Sequence, residues 1–168
     1  MPTDTARRGA AQGRRIVAAA LTAAPVIAGV LAAALASRST SQALSLLGLP
    51  DPGLLTTLGI PALTAAGEVC AAIAVGSLLL SAFVLPPQQA GVLDLDGYLA
   101  VRTAAAAMSA WAVCAVLLVP LTLSDASGRP VSEVAAQPAL FAAAVADVDT
   151  ASAWAATAVP VSYTHLRA

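Results

Sequence analysis

IVAAALTAAPVIAGVLAAALA, residues 16–36, is the stretch whose reading decides the fold class. Its 21 residues carry no charge. At about 1.5 Å of helical rise per residue they reach across a hydrocarbon layer of about 30 Å. Arg14-Arg15 stand before the run and Ser37-Arg38 after it, so polar groups meet water at both ends. The segment predicts a membrane-spanning helix. A cleaved signal peptide is the competing reading, because Ala34-Leu35-Ala36 resembles a cleavage site. Signal cores run about 7–15 residues, shorter than this one, and further spans follow, so the retained helix is preferred.

Outward from this run, residues 1–15 form a polar, cytoplasmic N-terminal arm carrying Arg7, Arg8, Arg14 and Arg15 against Asp4. Residues 37–60 read as a connector broken by Leu-Pro-Asp-Pro-Gly at 49–53, a strong helix stop. A second span is expected at 62–85, closed by Pro86-Pro87. A loop follows at 88–102 with Asp94 and Asp96, then a third span at 103–123 containing Trp111 and Pro120. Residues 124–150 are polar again, with a possible surface helix from Pro138 to Val148. A fourth apolar run starts at Ala151 and stops after ten residues, half of what a bilayer requires. The expected fold class is an all-α, polytopic transmembrane helix bundle over residues 16–160, three full spans plus a truncated fourth.

Composition agrees. Hydrophobic residues make up 59% of the chain and charged residues 10%, where a soluble domain needs about a quarter charged to cover its surface. Alanine dominates the apolar set and favours helix over strand. With a net charge of −1 there is no basic face to meet phosphates, so nucleic-acid binding is not expected. The basic side chains are all Arg, which with the alanine excess points to a high-GC bacterial genome. Four of the arginines precede the first span. The positive-inside rule then puts the N-terminus in the cytoplasm of a multi-pass protein of the inner (cytoplasmic) membrane.

The last eight residues, VSYTHLRA (161–168), differ in character and hold the single His of the chain. They resemble the translation of a transposase-type sequencing adapter, GTC TCT TAT ACA CAT CTC CGA GCC. On that reading the tail is non-native, the chain is an N-terminal fragment, and His165 is unsuitable as a ligand or base. Without it, no nucleophile–His–acid set, zinc spacing or phosphate loop remains, and no enzyme is expected.

Four residues inside the spans could touch a metal. Glu68 breaks the apolar rule, at a cost of about 2.5–3.5 kcal/mol unless it meets water or a partner. From its place in the expected second span it lies roughly 10 Å below the outer end. Thr64, Ala65, Ala71, Ala72 and Val75 share its side of the helix, so it is expected to point into the bundle. It reads either as part of an ion, metal or proton path, or as a protonated or water-assisted carboxyl. Cys70, Cys114 and Met108 are soft donors of the kind copper(I) prefers. Inert core packing is nevertheless the preferred reading for each, with an interhelical disulfide as a further alternative for the two thiols. Met108 and Cys114, six residues apart, do not share a helix face.

GLPDPGLLTTLGIPAL (48–63), GEVCAAIAVGSLLLSAFVLPPQ (67–88), GVLDLDGY (91–98) and WAVCAVLLVPLTLSD (111–125) together resemble the N-terminal part of actinobacterial copper resistance D (CopD) family membrane proteins. In that family this region is often fused to a cytochrome c oxidase assembly domain. The resemblance covers Gly48 to Ser127. It implies a membrane protein that transports copper across the cytoplasmic membrane, or a non-transporting scaffold that contacts cytochrome c oxidase assembly components. It carries no metal motif onto individual positions here. Its implied partners are the lipid bilayer and a copper ion.

Overall fold

The computed structural model describes residues 4–47, 53–84, 95–136, 145, 147, 149–154 and 156–157. Helix α1 runs Asp4–Leu47, α2 runs Leu54–Leu79 and continues as a π-helical turn Leu80–Val84, α3 runs Leu95–Ser127, and a short α4 covers Val131–Ala135. No strand occurs among the described residues. Three segments are long and apolar enough to cross a bilayer: Arg15–Arg38, Leu54–Val84 and Leu95–Ser127. The protein is an all-α, multi-pass membrane helix bundle.

The spans differ from the sequence expectation at their ends. α1 begins at Asp4, so the described part of the N-terminal arm is helix, and it continues past Arg38 through Ser37–Leu47, which was expected as connector. The second span starts at Leu54 rather than Ala62, with Pro61 inside the helix. A proline removes one backbone bond and is tolerated where neighbouring groups and local adjustment re-satisfy it. The break before the second span falls where expected, at Gly53, the last residue of the 49–53 stop, whose φ of 96° lies in the region that side chains with a Cβ avoid. The third span starts at Leu95 rather than Thr103, and Asp96 falls in its first turn, where a carboxylate meets the positive end of the helix dipole. Gly128, at φ 64°, ends α3 in the left-handed conformation typical of a helix terminus. Asp149–Trp154, at the start of the expected fourth run, are helical. The remainder of that run, most of Pro138–Val148, Asp94 and the tail with His165 lie outside the described residues.

α2 packs extensively against both α1 and α3, while α1 and α3 scarcely touch each other. Over most of its length the α2–α3 seam is lined by small side chains, with Leu121 packed against Gly59 nearer the Gly53 end. Thr56, Gly67, Cys70 and Ala74 are buried on α2, and Gly97, Ala100, Ala104, Ala107 and Ala115 on α3. Gly67, Cys70 and Ala74, and likewise Gly97, Ala100, Ala104 and Ala107, follow one another at three- and four-residue steps, the spacing of one helix face. Lipid is as apolar as the seam, so close van der Waals packing of small residues holds such helices together. Side chains built of Val, Leu and Ile instead face outward along α1, at Ile16, Val26, Ile27, Val30, Leu31 and Leu35.

Three contacts set the register. A Cβ at Gly29 would lie 3.0 Å from the Ala62 carbonyl oxygen, and one at Gly59 would lie 3.1 Å from Leu121 Cδ1. Thr56 Oγ1 and Ser124 Oγ are 2.7 Å apart. Counting nine residues on from Gly29 reaches Arg38, and nine back from Ala62 reaches Gly53, so these two are level. Counting the other way brings Arg15 level with Gly76. Along the second helix pair, Arg102 comes level with Leu78. Arg15 and Arg102 therefore mark one boundary of the bundle, and Arg38, Gly53 and Asp125 mark the other. The boundaries are about 35 Å apart along α2, a fit to one bilayer.

Apart from the Thr56–Ser124 pair, several hydroxyls within the spans are accommodated by their own helices. Thr22 donates to the carbonyls of Ala18 and Ala19, Thr103 to Leu99, Ser109 to Ala105 and Thr122 to Leu118. These back-bonds remove the cost of an unpaired donor in hydrocarbon. Among the described residues, no buried side-chain polar atom lacks a hydrogen-bond partner.

Candidate functional site

Of the residues singled out for chemistry, Glu68 and Cys70 lie on two different faces of α2. Cys70 is buried, with 4% of its surface exposed, on the side that meets α3. Glu68 is exposed, on a face with Ala72 and Val75 that neither α1 nor α3 covers. Two residues of helix rotate a side chain by about 200°, so Glu68 and Cys70 cannot address one ion. The expectation that Glu68 points into the bundle is thus corrected: α1 takes the Ala62–Ala66 side and α3 takes the Gly67–Cys70–Ala74 side. Its depth changes as well. Because α2 starts at Leu54, Glu68 lies about 20 Å from the Gly53 end and about 12–15 Å from the level of Arg102.

Gly67 brings the seam together. A Cβ at this position would come within 3.3 Å of Trp111 Cδ1 and 3.5 Å of Cys114 Cβ. The glycine therefore leaves the space into which the indole ring and the second cysteine reach from α3. Cys70 follows Gly67 by three residues, on the same face. The two thiols are free, and Cys114 Cβ packs at Gly67, one helical turn from Cys70. Cys70 is buried and Cys114 half-buried. The structure brings these two of the four expected residues together.

Met108 is half-buried on α3, nearly two turns before Cys114 and on a different face. No group of three or more His, Cys, Asp or Glu side chains that could hold a metal occurs among the described residues. Any ion held within the seam would thus have two sulfur donors rather than a cage.

One further constellation escaped the sequence reading. Near the Gly53 boundary, Thr56 and Ser124 meet across α2 and α3, both without exposed surface. Ser124 also donates to the Arg129 carbonyl oxygen at 2.6 Å, tying the end of α3 to the turn that follows it. A Thr near the start of one span and a Ser near the end of the next are the available signal. They become partners only if the spans are antiparallel and in this register.

Compared with family models, with curated proteins and with solved structures, the chain matches none.

Proposed function

We propose that this chain is part of a copper-handling protein of the bacterial cytoplasmic membrane, with its N-terminus in the cytoplasm and copper(I) as cargo. The observation that carries the reading is how the CopD-like stretches fall on the fold. They trace one unit, the α2–α3 hairpin. Thr56, Gly59, Gly67, Trp111, Leu121 and Ser124, which make contacts between the two helices, lie within the quoted segments, while the buried Ala100, Ala104 and Ala107 lie between them. Residues that carry the resemblance thus include several that pack α2 against α3. Soft donors at Cys70 and Cys114 within that hairpin suit a soft monovalent ion. The cytoplasmic placement of the N-terminus is supported by Arg15 and Arg102 sharing one level, beyond which α1 carries Arg7, Arg8 and Arg14.

The test is genetic. Loss of the gene is expected to change total cell copper under copper limitation or excess, as measured by elemental analysis. Unchanged copper together with lowered oxidase activity would overturn transport in favour of a scaffold acting through assembly components. Replacement of Glu68 by Gln asks separately whether the mid-span carboxyl belongs to the path: copper accumulation at the native level removes it.

A further inference from the structure

We propose that Cys70 and Cys114 form a dithiol site in the α2–α3 seam that binds one copper(I) ion per chain between two sulfurs. The inference rests on the preceding reading only for the choice of ion; the site itself follows from geometry. Side chains on a helix tilt toward its N-terminus. α2 and α3 are antiparallel, so the two cysteines tilt in opposite directions along the seam. Cys70 leans back toward the level of Gly67. Cys114 leans back toward the level of Trp111, and Gly67 abuts both Trp111 and Cys114. Both thiols therefore converge toward the level of Gly67, where the absence of a side chain on α2 lets Cys114 come close to the face bearing Cys70.

Ligand number and charge point to the same ion. Among the described residues there is no third Cys, His or carboxylate to complete a tetrahedral zinc site. Copper(I) is satisfied by soft thiolate donors. In a seam flanked by alanines a net charge is costly. The favoured complex is the neutral one, in which one cysteine binds as thiolate and the other as thiol. Its formation is Cu⁺ + Cys70–SH + Cys114–SH → Cys–S–Cu–S(H)–Cys + H⁺, with no change of oxidation state and one proton released. Glu68 faces away from the seam and takes no part.

The experiment uses the full chain, purified under anaerobic, reducing conditions in detergent or nanodiscs, and titrated with copper(I) against a chromogenic competitor. One equivalent is expected to bind, with one proton released in weak buffer and two sulfur neighbours in the X-ray absorption spectrum of the copper. Cys70→Ser and Cys114→Ser are each expected to lose that equivalent, while Glu68→Gln keeps it. Far-UV circular dichroism and elution volume identify variants that keep the native fold. Sulfur counting on the unsubstituted protein tests the site even if a serine variant does not fold. Native-level binding by either serine variant, or the absence of two-sulfur copper in the native chain, overturns the site. If the dithiol binds copper(I) but gene loss leaves cell copper unchanged, the transport reading falls and the site stands. If gene loss alters cell copper while both serine variants bind as the native chain does, the site falls and the reading stands.

Discussion

Removing the hydroxyl contact between Thr56 and Ser124 gives a quantitative test of the antiparallel register. Both residues are fully buried, and their oxygens lie 2.7 Å apart. Thr56→Val keeps the volume and removes one partner, while Ser124 retains its bond to the Arg129 carbonyl. Interhelical hydrogen bonds in membrane proteins average about 0.6 kcal/mol with a maximum of about 1.7. The pair lies only three residues inside Gly53, close to the water interface, so a value near the mean is expected for Thr56→Val. Ser124→Ala removes both contacts, so its loss should exceed that of Thr56→Val by about 0.5–1.5 kcal/mol, the net worth of one further hydrogen bond. Unfolding in mixed micelles, or by steric trapping in bilayers, would supply both values and that of the double variant. The coupling energy should be about 0.6 kcal/mol or more. Additive single effects, or a Ser124→Ala variant no less stable than Thr56→Val, would refute the proposed pairing and the register built on it.

Three other perturbations address different parts of the bundle. Gly29→Leu places a side chain against the Ala62 carbonyl, a backbone atom only 3.0 Å from the new Cβ; energy transfer between labels on α1 and α3 should fall, and an unchanged signal removes Gly29 as the docking point. Glu68→Leu should favour insertion of the second span by about 3 kcal/mol in a translocon assay, and no gain would mean that the carboxyl is not in hydrocarbon. Arg38→Cys and Arg102→Cys, each in a Cys70→Ser/Cys114→Ser background, should react with an impermeant maleimide from opposite sides of the membrane; labelling from one side contradicts the levels assigned to them.

The presence of three apolar spans was readable because an uncharged run of 21 residues has few alternatives. Their ends were harder to read. Residues 37–47 read as connector from their polarity, yet they are helical; the break before the second span does fall within the 49–53 stop, at Gly53 with its positive φ, and the span then begins eight residues earlier than its apolar run suggested. Orientation around each helix was harder still. In a soluble protein an apolar stripe marks the buried face. Here the lipid-facing side is as apolar as the seam, so periodicity could not tell which side of α2 met α3. Glu68 was assigned inward on that missing information. The cysteines were visible as soft donors, but Gly67 had no chemistry to flag it, and it is the residue that lets Cys114 approach the face bearing Cys70.

The distribution of contacts argues that the α2–α3 hairpin is the cohesive unit and that α1 is added to it. Along α1, Gly29 is the one buried residue among those whose side-chain environment is described. The hairpin buries a continuous line of small residues and is closed near one end by Thr56 and Ser124. Hydroxyls such as Thr22, Thr103 and Thr122 bond within their own helices and contribute no link between helices through those bonds. Specificity in this lipid-soluble chain therefore rests on a few places where backbones or small side chains come close. Gly67 is one of them, and the paired thiols lie in the same stretch of seam. A site there would share its geometry with the contact that holds the hairpin together, so binding an ion between Cys70 and Cys114 would act on the packing of α2 against α3 directly. The exposed carboxyl of Glu68 lies on the opposite face of α2 and leaves that packing untouched, which is why its substitution separates the two effects.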